Sequence, residues 1–392
     1  MSRRAVHDVA VVGGGVVGAA CALALADAGL DVCLVEALEP SPWSVERHDL
    51  RVYALAPDNA ALLDALGVWQ AVLAARAQPY RRMQVWDAAG GDPIRFDADA
   101  LARSELGWIV EQGLLVDVLW QALRRSRVRL ACPARVEALD AGDGSATLRL
   151  DDGSRVAARI AIAADGAASP LRRLAGIAAD AHDYAQRGVV AYVQTGQPHE
   201  ATAWQRFLPT GPLALLPWVD GRCSIVWTLP DDEAARVLAL DDDAFARTIT
   251  TAFDARLGAI VPTTQRVAFP LRRQLAATQH SGRVLVIGDA AHAVHPLAGQ
   301  GVNLGLRDVS TLRDAVRDAR QRRVDWDAPH RLARWARARR SENALAAHAF
   351  SGINRLFSND DMAATLVRGH LLGLAGRMPP LVNAFWRRAA GV

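Results

Sequence analysis

The 392-residue chain contains no lysine; all 45 of its basic side chains are arginine. Without an ε-amine there is no lysine Schiff base, no pyridoxal-phosphate lysine and no Walker-type phosphate loop. Cysteine is scarce too. Cys21, Cys33, Cys132 and Cys223 form no CxxC pair and match no zinc spacing, so no metal site is expected. Cys21 and Cys33 lie inside apolar runs and read as core residues, which suits a reducing compartment. Long apolar runs are missing as well. Arg3-Arg4 and the stretch to Ala26 imitate an export signal, but Asp8, Gly13-Gly14-Gly15 and Asp27-Ala28-Gly29 interrupt it. No later span reaches the ~18 apolar residues of a membrane helix, so a cytoplasmic protein is expected. The net charge is only +3, too small for whole-molecule attraction to nucleic acid. What the chain has in quantity is apolar residue: 51% is hydrophobic, enough for a large core. At roughly 150 residues per domain, two or three units are expected.

The N-terminus carries the first chemistry. Val9–Val12 reads as a buried parallel strand. Gly13-Gly14-Gly15-Val16-Val17-Gly18 follows as G-x-G-x-x-G, then a helix over 16–28, a second strand over 31–35, and Glu36 at its end. Gly13 permits the tight turn, Gly15 admits a pyrophosphate, and Gly18 allows close helix–strand packing. The helix start presents free N–H groups to phosphate. Glu36 suits the two ribose hydroxyls of an adenosine. Strand, glycines, helix, strand and acid in order predict a dinucleotide site, with NAD and FAD both open on these residues alone.

Three later segments decide between them. IAIAADGAASPLR (160–172) runs a strand into Asp165-Gly166. RVLVIGD (283–289) ends a buried strand in Gly288-Asp289 and continues as AAHAVHPLAGQGVNLGLRD to Asp308. DLRVYAL spans 49–55. Together with the N-terminal unit these resemble the flavoprotein aromatic hydroxylases of the p-hydroxybenzoate hydroxylase type. HPLAGQGVNLGLRD and QRFLPTGPLALLP (205–217) are closer still to the ubiquinone-biosynthesis FAD-dependent hydroxylase family. The likeness covers nearly the whole chain and implies FAD. The 19–35 interval between Gly18 and Glu36 fits its version of the first motif.

The carboxylate of Asp289 is the right type to accept from the ribityl chain of FAD; an Asp there can also cap the helix that follows. Gly299, Gln300, Gly301, Val302 and Asn303 form a loop entering a helix. Its N–H groups suit the pyrimidine edge of a flavin, where negative charge appears on reduction. The resemblance places Arg51 near the FAD ribose and pyrophosphate, Gln112 at a second cofactor contact, and Pro296 beside the reactive flavin edge. It assigns Asp165, Ser169 and Arg172 to flavin and NADH or NADPH contacts. A surface salt bridge remains open for Arg51, and a helix cap for Asp165. His292 and His295 lack a third ligand and read as structural hydrogen-bonders; no catalytic base emerges. FAD retention is expected to depend on Asp289 more than on Asp308.

The expected fold is α/β, a doubly wound Rossmann-like FAD domain with an inserted antiparallel-sheet substrate domain and a helical C-terminus. Residues 1–80, 98–180 and 275–340 are assigned to the FAD domain. Residues 81–97 and 181–274 are assigned to the substrate sheet, and 341–392 to the helical end. A hairpin is predicted over 83–96, a helix over 110–127, and one helix near 231–257 amid strands. Trp204, Phe207, Trp218 and Trp227 read as core.

The small net charge conceals an asymmetry. Residues 301–392 hold 16 arginines against 8 acids, a net +8, which leaves −5 for the first 300 residues. Val367, Leu371, Leu374, Met378, Leu381 and Phe385 recur at helical spacing, with Pro379-Pro380 starting a new helix. Such an end can pack on its own core, or meet an anionic membrane surface or a quinone-biosynthesis complex. The resemblance implies a monooxygenase that uses NAD(P)H and O₂ to hydroxylate a polyprenylphenol through a C4a-hydroperoxyflavin, with C5/C6-type hydroxylation favoured. A hydroxylase of a small soluble phenol, a reductase or oxidase without oxygen insertion, and a flavin-holding assembly subunit are the alternatives.

Overall fold

Hydrophobicity without alternation builds the centre of the molecule. In the computed structural model, which describes residues 6–90, 92–142, 144–293 and 300–357, the strands His7–Val12 and Val32–Val35 are almost wholly buried. Each is covered on both faces, as parallel strands require. They pair in parallel with one another and lie within an eight-stranded sheet. Arg155–Ala163 pairs in parallel on one side and Arg129–Ala131 on the other. Val284–Val286 adds a further parallel strand beyond Arg155–Ala163. The helix Val16–Asp27 crosses between the first two strands and is buried on nearly every face. It packs against the helices Gln112–Arg125 and Gln300–Gln321, which explains why its sequence is apolar all round.

A second, nine-stranded sheet is centred on the long strand Ala179–Thr195. Most of its pairs are antiparallel, including the Arg82–Asp87 and Ile94–Asp97 hairpin. The expected all-antiparallel pattern fails at one pair: Thr202–Leu208 runs parallel to Arg82–Asp87, because the two strands are brought together from distant parts of the chain. Two helices cover the outer face, not one. Asp231–Ala239 ends before Asp241, whose carboxylate caps Asp242–Ala252 by accepting from Ala244 N–H at 2.6 Å. Phe245, Ile249 and Phe253 pack there with Val189, Ile225 and Trp227. Trp218, Trp227 and Phe207 are buried and Trp204 is partly buried.

A small third sheet joins the other two: Val52–Leu55, Gly107–Glu111 and Ala77–Tyr80. Here the predicted helix over 110–127 is corrected. Val110 and Glu111 are strand, since Trp108, Ile109 and Val110 pair with both neighbours, and the helix begins at Gln112. No helix among the described residues is long and apolar enough to cross a membrane. The apolar stripe at 367–385 lies outside the described residues, as do Pro296, His295 and Gly299.

Candidate cofactor site

The glycine turn is built by exclusion of side chains. Gly13 has φ +105°, and a Cβ there would lie 2.4 Å from the Ala164 carbonyl oxygen. A Cβ on Gly18 would meet Gly13 O at 1.9 Å, so helix and strand touch through their backbones. Gly14 is closed by Trp120, whose indole N–H donates to Gly14 O at 2.7 Å. Gly15 differs. A Cβ there would meet nothing within 4 Å, because the position faces a cavity.

That cavity has a volume of about 750 Å³, within the roughly 300–1,000 Å³ usual for small-molecule sites. All three sheets contribute to its wall. The loops flanking strands of the first give Gly13, Gly15, Glu36, Arg135 and Asp165; the third gives Val52 and Tyr53; the second gives Phe269 and Ala293. Glu36 accepts from the N–H groups of Gly14 and Leu38, which fixes its carboxylate at the end of its strand. At the opposite end of the motif set, Asp289 lines the cavity together with Gly301 and Val302.

Asp289 lies in a short 3₁₀ turn, Gly288–Ala290, and is not its cap. Its side chain is exposed to the cavity and bonds to no described residue. Protein surrounds it otherwise, so desolvation pushes its pKa up against the opposing pull of His292 and Arg51. Arg51 makes no salt bridge among the described residues. It donates to Gln112 Oε1 at 3.1 Å, and Tyr53 donates its hydroxyl to the same oxygen at 2.8 Å. Asp49 holds this edge by accepting from the N–H groups of Arg51 and Gly113 at 2.9 Å each.

The remaining predicted residues stand behind the wall. Asp165 lines the cavity and accepts from Leu171 N–H at 3.0 Å; burial raises its pKa. Ser169 is fully buried and caps the helix Pro170–Leu174 through Arg172 N–H at 2.9 Å. Arg172 is buried and donates to the carbonyls of Ala167 and Ala290 at 3.0 and 2.8 Å. Ser169 and Arg172 thus support the Asp165 and Asp289 turns from inside. Asn303 is also buried: it accepts from Ala56 N–H at 2.9 Å and donates to Ala54 O at 2.8 Å, tying the helix Gln300–Gln321 to the third sheet. His292 donates to Asp308 at 2.5 Å, a structural bond, and no metal-binding cluster exists among the described residues.

The residues fit an extended dinucleotide. An acceptor with no partner among the described residues, an open glycine position and a fixed acid line one cavity, and two helix N-termini border it. Residues 6–325 match the family described as FAD binding domain. The 3-demethoxyubiquinol 3-hydroxylase of Escherichia coli (strain K12) is 38% identical over 358 residues, 90% of each chain. Ubiquinone hydroxylase UbiL of Rhodospirillum rubrum is 36% identical over 388 residues, covering 98% of this chain and 90% of that protein. This chain belongs to the FAD-dependent hydroxylases of ubiquinone biosynthesis. It is accordingly an FAD-dependent monooxygenase. The fold is shared with the p-nitrophenol 4-monooxygenase PnpA of Pseudomonas putida DLL-E4 at TM-score 0.78 and 22% identity, over 98% of both chains.

Within this hydroxylase, sequence reasoning missed Tyr53, Trp120, Arg135 and Phe269 as site residues. Tyr53 stood inside a quoted motif, two positions after Arg51, and strand alternation places both on one face. Trp120, Arg135 and Phe269 had no local signal, because each reaches the site through pairing or packing of distant segments.

Proposed function

We propose that the chain hydroxylates the aromatic ring of a polyprenylphenol during ubiquinone formation, at a C5/C6-type position, with NADH or NADPH as reductant. One observation carries this reading. Two relatives named for hydroxylation in the ubiquinone series align over 90% or more of this chain. Bound FAD supplies the redox chemistry by which one oxygen atom of O₂ reaches an electron-rich ring.

The protein's share is binding and electrostatics. Glu36 would hold the adenosine ribose, the N–H groups at the start of Val16–Asp27 the pyrophosphate, and Asp289 the ribityl chain. Gly301 and Val302 open the 22-residue helix Gln300–Gln321, whose positive end favours the negative charge of a reduced flavin. The second sheet, which gives Phe269 and Ala293 to the cavity wall, would cover the cofactor and exclude water. The basic, apolar-striped C-terminal region gives a substrate with a lipid tail a reason to be met at the inner face of a membrane or in a biosynthetic complex.

Deleting the gene and identifying the accumulated quinone precursor by mass tests the substrate class. Accumulation of a polyprenylated phenol lacking one ring oxygen is expected. Unchanged quinone with a small phenol accumulating would favour the soluble-phenol alternative.

A further inference from the structure

The family match ends at residue 325, yet two side chains beyond it bond to Asp308, which in turn holds the turn that carries Asp289. The link is Asp308, fully buried on the helix Gln300–Gln321. Its Oδ2 accepts from Gly288 N–H at 3.0 Å and from His292 Nε2 at 2.5 Å. One oxygen therefore holds both ends of the 288–292 segment. Its Oδ1 accepts from Arg339 Nε at 2.8 Å and Asn343 Nδ2 at 3.2 Å, both on the last helix, Pro329–Phe357. Arg339 and Asn343 are themselves 2% exposed, and Arg339 Nη2 donates to Asn343 Oδ1 at 3.0 Å. Asn343 also donates to Gln279 at 3.4 Å, and Gln279 donates to Val286 O at 3.1 Å, in the strand just before the turn.

We propose that Asp308 is a positioning residue for FAD, and that Arg339 and Asn343 belong to the cofactor site through it. The turn needs such a brace. Gly288 stands at φ +57°, where the chain has left the sheet ladder and its buried N–H requires another acceptor. Asp289, next in sequence, has no bond to a described residue that would aim it. Its direction is therefore set by the turn, whose Gly288 and His292 are held by Asp308 and whose Ala290 carbonyl is held by Arg172. Burial acts to raise the pKa of Asp308, but His292 and Arg339 overcome this and bring it to about 2, so the carboxylate is ionised. Two ionised oxygens can accept on both sides at once. An amide offers one acceptor and turns its NH₂ toward a donor, so it cannot couple the last helix to the turn. A shift of the last helix then reaches the Asp289 turn through Asp308, and the strand before it through Gln279.

The experiment compares Asp308→Asn, Asn343→Ala and Arg339→Lys with the wild type. Apoprotein is titrated with FAD by flavin fluorescence, and apoprotein melting is followed in parallel. The FAD dissociation constant is expected to rise about tenfold or more in Asp308→Asn and about threefold in Asn343→Ala, each beside a lowered melting temperature because buried partners are left unpaired. Arg339→Lys keeps the charge but loses the fork, and an intermediate rise is expected. If Asp308→Asn does not fold, the other two variants decide. Wild-type FAD dissociation constants alongside lowered melting temperatures would assign these residues to the core alone and overturn the proposal.

Discussion

Gly13 and Gly15 stand two positions apart and are required for opposite reasons. Gly13 is imposed by its left-handed backbone and by the Ala164 carbonyl against it, whereas Gly15 is open toward the cavity. Gly13→Ala is therefore expected to impair folding itself. Gly15→Val is expected to melt close to wild type without cofactor yet bind FAD at least about tenfold more weakly, as isothermal titration of apoprotein would show. Asp289 gives a sharper separation. Its folded pKa is raised, so as pH rises from the ordinary carboxylate value through the folded one, stability falls. Asp289→Asn is expected to raise the apoprotein melting temperature slightly at pH 7 and to weaken FAD binding about tenfold to a hundredfold. A lower apoprotein melting temperature would show that the carboxylate is satisfied without the cofactor. Gly13 and Gly15 were legible in the sequence because strand, glycines, helix and acid are contiguous there, and Asp289 because a buried strand ends in Gly288-Asp289 within a stretch that resembles the family. Ser169 and Arg172 were legible as a motif but not in direction, since a cap and a buried guanidinium use the same residue types as a ligand contact.

Element boundaries followed from local chemistry only where that chemistry was unopposed. The helix Val16–Asp27 could be placed because Gly15 and Gly29 flank it. The strand Gly107–Glu111 was hidden, because its apolar residues continue into the periodic pattern of Gln112–Arg125 and only pairing with two distant strands separates them. The break between Asp231–Ala239 and Asp242–Ala252 had a signal in Asp241, a capping residue inside a helical run. Capping also sets a measurable expectation for Pro170–Leu174. Ser169→Ala is expected to cost about 1 kcal/mol in urea unfolding, because the Arg172 N–H loses its acceptor inside the protein. A stability equal to wild type would mean that Asp165, which accepts from Leu171 N–H, caps the helix alone.

At the scale of the molecule, the site is where three sheets meet, and that meeting is a property of topology rather than of any one segment. The sequence could indicate a sheet domain inserted into a nucleotide fold. It could not indicate that Phe269 or Tyr53 would line the same wall as Glu36. The longest-range link to the site is the Asp308 network, which binds the last helix to the cofactor turn. Its acid dependence has a defined sign. Because the folded pKa is lowered to about 2, its stabilising contribution is present above the ordinary value of about 3.9 and is lost as pH falls toward 2. Acid titration followed by circular dichroism is expected to show a steep loss of structure in that interval, flatter in Asp308→Asn. Oxygen insertion into a polyprenylphenol ring, the reaction proposed for this chain, is tested most directly by turnover of the FAD-loaded enzyme with NAD(P)H and a polyprenylphenol under isotopically labelled O₂, with the product read by mass spectrometry. One labelled oxygen atom in each hydroxylated product is the expected result; NAD(P)H consumption that yields only peroxide, with no label in the ring, would contradict it.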